Sequence, residues 1–221
     1  MSETGSELSD VSGVILSRVF HAERSVYLQI FLRDYGITFA FVRLSASGQS
    51  HFGGDIEPLT WGVFKFQKNI TGKYRLLDVE NQDDMLQIRK RGDALVTAVS
   101  WANLVLKYLS ENQPDDPLLV KLYWNMHLLK FPEIPVEAVN FRFLWQWLTL
   151  WGLAPEFERF FVSKNFDLRE ISLLKYVVAL KSENMLRLFQ GENLSRLSQS
   201  ESFRNIFTRA ANFAKPFFRE K

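Results

Sequence analysis

The hydrophobic period of this chain changes once, from two to about 3.6 near residue 81, and that change limits its fold more than any other feature. Upstream of it, short apolar runs alternate with turn signals. They predict strands over residues 11–20, 25–32, 37–44, 59–67 and 73–79. In the second strand Val26, Leu28, Ile30 and Leu32 point one way, and Ser25, Tyr27, Gln29 and Phe31 the other. The first set should fill an interior. Five strands in about seventy residues fit a small closed barrel, and the oligonucleotide-binding (OB) fold is the common solution at this length.

Downstream, Asp93 reads as the cap of a helix over 94–109 whose Ala98, Trp101, Ala102, Val105 and Leu109 share one face. Further helices are predicted over 117–130, 136–151 and 168–180, the last opened by Asp167 with Glu170 three residues on. A final helix starts after Ser200, with Pro216 at its end. The expected fold is therefore α+β: a flexible tail over 1–10, an OB-fold barrel over 11–80, and an all-helical domain over 81–221.

Composition removes several classes of function. Cysteine is absent, which excludes disulfides, thiolate zinc sites and cysteine nucleophiles. His21, His51 and His127 stand far apart, without the spacing of metal ligands. No glycine loop of a phosphate-cradling type is present, since Gly53-Gly54 lacks the flanking pattern. The acidic pair Asp83-Asp84 could hold a divalent metal, but next to a helical region it reads better as helix-end chemistry. The expectation is a protein without a catalytic site, metal or cofactor. Residues 1–10 are polar and acidic, unlike a signal peptide. The apolar segment 141–153 falls short of the roughly 20 residues that span a membrane. Its Arg142, Gln146 and Thr149 share a stripe, which predicts a buried helix with one wetter edge and no membrane partner.

Binding has stronger candidates. The net charge is only +2, so attraction for nucleic acid depends on how the charge is distributed. Between Val14 and Leu77, Arg18, Arg24, Arg33, Arg43, Lys65, Lys68, Lys73 and Arg75 face only Glu23, Asp34, Asp55 and Glu57. Interleaved with Tyr27 and Phe31, they form the set a single-strand groove requires: cations follow the phosphates while rings stack on bases.

Residues 18–25, Arg-Val-Phe-His-Ala-Glu-Arg-Ser, lead into an apolar strand, then Asp34-Tyr35-Gly36, then Phe41-Val42-Arg43. This order resembles the amino-terminal signature of the RecO family of DNA recombination and repair mediators, matching it at Arg18, Glu23, Ser25, Asp34, Gly36 and Arg43. Ile56-Glu57-Pro58-Leu59 resembles the family's step into its next strand. Phe141-Arg142-Phe143-Leu144 with Trp151-Gly152-Leu153-Ala154-Pro155 is similar to a family helix and its closing turn. Ala22 and Leu44 stand where the family has glycines, Val19 replaces an arginine, and the four-cysteine zinc module of many members has no counterpart. The resemblance implies a bacterial, cytoplasmic, nucleoid-associated protein that binds single- and double-stranded DNA. It also implies annealing of strands coated with single-strand-binding protein, and work with the RecR ring to load recombinase at gaps. Trp145, Trp147 and Trp151 are mostly core by composition; one of them is a candidate lining for a pocket that takes the carboxy-terminal tail of single-strand-binding protein. Two other readings stay open: a protein-interaction adaptor without a DNA groove, and a metal-dependent nuclease at Asp83 and Asp84.

Overall fold

A computed structural model describes residues 7–21, 25–45, 50–69, 72–191 and 199–218. The chain forms two compact units, one of Met1–Lys90 with Ala98–Leu119 and one of Arg91–Thr97 with Val120–Lys221. In the first, β1 (Glu7–Phe20), β2 (Ser25–Leu32), β3 (Gly36–Arg43), β4 (Trp61–Lys68) and β5 (Tyr74–Asp83) close into a barrel in the order β1-β2-β3-β5-β4. The fold is α+β, with an OB-like barrel at its amino end and helices after it. β2 and β3 pair along their whole length. Among the described residues the parallel seam between β3 and β5 holds only Ala40–Tyr74 and Phe41–Arg75.

Alternation in β2 places its apolar set as expected. Val26, Leu28, Ile30 and Leu32 are fully buried inside the barrel with Ile15, Ala40, Val42, Phe64, Phe66 and Leu76. β1 is longer than expected, because Glu7 and Leu8 already pair with Gln67 and Phe66 of β4. Asp10, at φ 60°, marks a break in that register, and a polar residue in a left-handed conformation hides the strand from a period-two reading. Of the expected tail, residues 7–10 are therefore strand, and 1–6 lie outside the described residues.

A second irregularity in β1 lies between Ile15 and Ser17. Ile15 opposes the inward Ile30, whereas beyond the bulge Arg18, not Ser17, opposes the inward Leu28. One extra residue thus exchanges the two faces of the strand. This places Arg18 on the inward register at one end of the barrel.

The helices are α1 (Leu86–Arg89), α2 (Gly92–Tyr108), α3 (Asp116–Leu128), α4 (Val136–Leu150), α5 (Phe157–Ser163), α6 (Leu168–Ala179), α7 (Ser182–Gln190) and α8 (Glu201–Ala214). A 3-10 turn over Lys215–Phe218, containing Pro216, follows α8. Asp167 and Glu170 close a capping box at the start of α6. Within the second unit α4 is central. Its Phe141 ring lies 5.9 Å from Phe161 of α5 and 6.3 Å from Phe207 of α8.

Arg142 and Gln146 do not form a wet edge on α4. Both are buried, and Thr149, which is exposed, returns its hydroxyl to Trp145 O. Arg142 Nη1 donates to Asn125 Oδ1 at 2.7 Å and Nη2 to Leu180 O at 2.8 Å, while Gln146 Nε2 donates to Val178 O at 3.1 Å. Asn125 Nδ2 donates to Gln146 Oε1 at 3.1 Å. The network satisfies carbonyls at the carboxy end of α6, where backbone acceptors lack helical partners and a cation is favoured. No described helix is long and apolar enough to cross a membrane.

Candidate nucleic-acid interface

Register decides which sequence-predicted residues meet. In β3, Ala40 and Val42 point into the barrel, so Phe39, Phe41 and Arg43 point out. Phe41 opposes Tyr27 on one side and Arg75 on the other, and Tyr27 opposes Val19 of β1. The outer face therefore carries a row, Val19–Tyr27–Phe41–Arg75, across four strands. Beside it runs a second row in which Ser17 hydrogen-bonds Gln29 and Gln29 opposes Phe39. Val19 and Phe39 are well exposed, and Tyr27 and Phe41 are half-buried.

Cations border these rings. Arg43, Lys73 and Arg75 are exposed, and none of them pairs with a carboxylate among the described residues. Lys73 Nζ lies 6.0 Å from the Tyr27 ring and Lys68 Nζ 5.5 Å from the Tyr74 ring at the barrel rim. An aromatic strip flanked by unpaired cations can accept extended single strands, because each base has a stacking face and each phosphate a charge.

Other predicted members fall elsewhere. Arg18 is bound to Glu57 and its guanidinium stands 5.2 Å from the Phe20 ring, on the inward register described above. Arg33 lies at the far end of β2 with Asp116 at 3.9 Å, and Lys65 lies on β4 with Asp10 at 3.9 Å. Arg24 lies outside the described residues. The expectation that Phe31 is an exposed stacking ring is corrected: although it occupies the outward register, it is fully buried, as are its strand partners Val14 and Ile37. At that end the chain covers its own barrel. Asn112 N–H donates to Ile37 O at 3.1 Å, Glu111 bridges Ile37, and Asp34 N–H donates to Asp116 Oδ1 at 2.9 Å.

Phe39 and Phe41 were missed in the sequence, although a signal was present. Their small partners in the alternation, Ala40 and the β-branched Val42, fit a crowded barrel interior, which leaves the two phenylalanines outside. Trp145 and Trp147 are likewise corrected as pocket-lining residues. Trp145 packs edge-on against Phe157 at 4.9 Å, Trp147 against Phe218 at 5.0 Å, and both are buried. Trp151, half-buried, stacks edge-on against Trp147 at 5.2 Å.

Asp83 and Asp84 make turn bonds, accepting the N–H groups of Met85 and Leu86 at 2.9 Å each. Among the described residues no group of three His, Asp or Glu is placed to hold a metal ion. A scan against models of protein families and a search of curated proteins find no match to this chain.

Proposed function

We propose that the barrel binds single-stranded DNA on the outer face of β1, β2, β3 and β5, and that the protein is a non-enzymatic mediator of DNA repair and recombination of the RecO kind. One observation carries the binding half: the Val19–Tyr27–Phe41–Arg75 row, with Phe39 beside it and Arg43, Lys73 and Lys68 around it. The mediator half rests on the sequence resemblance, with duplex DNA, the RecR ring and the tail of single-strand-binding protein as its partners. Annealing needs no covalent step. Holding two strands together raises their effective concentration, and neutralised phosphates repel less.

The test is a salt series of single-strand binding. If Arg43, Lys68, Lys73 and Arg75 each contact a phosphate, log affinity falls with log salt at a slope of about −2.8, at about −0.7 per contact. A fourfold rise in salt then weakens binding about fiftyfold, or roughly 2.3 kcal/mol. Arg43→Ala makes the slope shallower by about 0.7 and weakens all sequences alike, since a phosphate contact carries no base information. Tyr27→Ala and Phe41→Ala each cost about 1–3 kcal/mol with the slope unchanged, as lost stacking should. A flat, salt-insensitive titration would instead identify an adaptor. Loss of binding in Arg187→Ala, with Arg43→Ala unaffected, would move the site to the helices. The mediator half is read separately, by energy transfer between complementary strands coated with single-strand-binding protein.

A further inference from the structure

We propose that the second unit holds a pocket for a phosphate monoester carrying a flat organic group, a site independent of the DNA reading. A cavity of about 400 Å³ opens among α3, α4 and the α6–α7 junction, lined by Val120, Lys121, Trp124, Arg142 and Lys181 among others. Three independent features converge on it.

Arg142 is 97% buried, and the hydrogen bonds of its guanidinium go to Asn125, Leu180 O and Ser182, all of them neutral. Its Nε is buried with no partner among the described residues. A buried cation without a counter-charge is an unusual element of a fold, and it is normally paired or hydrogen-bonded throughout. The second feature is α7, nine residues long, which starts at the pocket at Ser182 and has no side-chain cap on its first turn. Uncapped amides and the positive end of the helix dipole favour an anion there. The third is the mouth, where Lys121 and Lys181 oppose a single acid, Glu183.

Charge selects the ligand class. Arg142, Lys121 and Lys181 against Glu183 leave a net charge of +2, which matches a phosphate monoester, at about −1.5 to −2 near neutral pH, better than a single carboxylate. Trp124, 40% exposed, and Val120, 48% exposed, supply an apolar wall beside the cations. An indole face of that kind suits a base or another planar group.

The experiment titrates the full-length protein with adenosine 5′-monophosphate, inorganic phosphate, adenosine and phenylacetate, reading the melting temperature and tryptophan fluorescence. The monophosphate should raise the melting temperature in proportion to the logarithm of its concentration above Kd, with inorganic phosphate weaker and adenosine inert. Lys181 is exposed and Lys121 half-buried, and Lys181→Ala and Lys121→Ala should each weaken the monophosphate about five- to tenfold, the loss of one charge-assisted contact. Trp124→Ala should weaken the monophosphate and leave inorganic phosphate unchanged. Because Arg142 lies in the core, its replacement serves only as a supplementary variant. The proposal fails if neither phosphate compound shifts melting at millimolar concentration, or if the shift survives in the Lys121→Ala/Lys181→Ala double variant. It fails equally if adenosine or phenylacetate binds as well as the monophosphate.

Discussion

Arg142 shows how one residue sets the stability of its surroundings. Burial pushes its guanidinium down to about 10, well below the ordinary arginine range, so that holding the charge costs roughly 3 kcal/mol at neutral pH. The hydrogen bonds to Asn125 and Leu180 O offset that cost. Arg142→Leu removes the charge but strands two buried acceptors, and it should destabilise the protein by about 2–4 kcal/mol in urea unfolding. Arg142→Lys should recover little, since a single ammonium cannot reach both oxygens in the planar geometry of the fork. Gln146→Leu should cost less, about 1–2 kcal/mol, because only the Val178 and Asn125 bonds are lost. In the sequence the three residues at 142, 146 and 149 were visible as a polar stripe. Their destination was not, because Leu180 and Val178 approach α4 only through tertiary packing.

Among the elements, the β2–β3 turn depends on Gly36. Its φ is +74°, and a Cβ there would stand 2.1 Å from Gln113 O. Both the left-handed backbone and the close approach require glycine. Gly36→Ala should cost at least about 2 kcal/mol, seen as a lower urea midpoint with an unchanged m-value. The Asp34-Tyr35-Gly36 turn was legible from composition, but the segment 111–116 that crosses it was not, since it comes from some eighty residues downstream. β2 was legible to the residue, because strict alternation leaves one register only. The amino end of β1 was obscured by the irregularity at Asp10, which breaks the period that reveals strands, whereas its carboxy end at Phe20 was legible. α5 and α7 went unseen for a different reason. Phe157, Phe160 and Phe161 crowd a short stretch with no clear stripe, and α7 spans only nine residues. Of the candidate site, the cations Arg43, Lys73 and Arg75 and the ring Tyr27 were found. Phe31 was misjudged and Phe39 and Phe41 overlooked, because exposure on a barrel depends on which face later segments cover.

At the scale of the whole molecule, neither unit takes its stability from disulfides, and the described residues form no metal cluster. Chelator should therefore leave the thermal transition unmoved; a drop of several degrees would expose a metal-dependent fold. The unequal seams of the barrel have a consequence for its internal motion. A cylinder closed by full ladders on every side except one opens first at its weakest joint, and here that joint is the pair of parallel contacts Ala40–Tyr74 and Phe41–Arg75. Deuterium should enter the amides that bond across the β3–β5 seam, at residues 40–41 and 74–75, sooner than the amides that bond across from β2 to β3. The same joint runs through the middle of the proposed DNA face, between Phe41 and Arg75. A strand laid across it, stacked on one lip and paired with the other, would work as a clasp. Saturating oligonucleotide should slow exchange at these amides more than anywhere else in the barrel, whereas a ligand held on one lip alone would leave the joint as free as before.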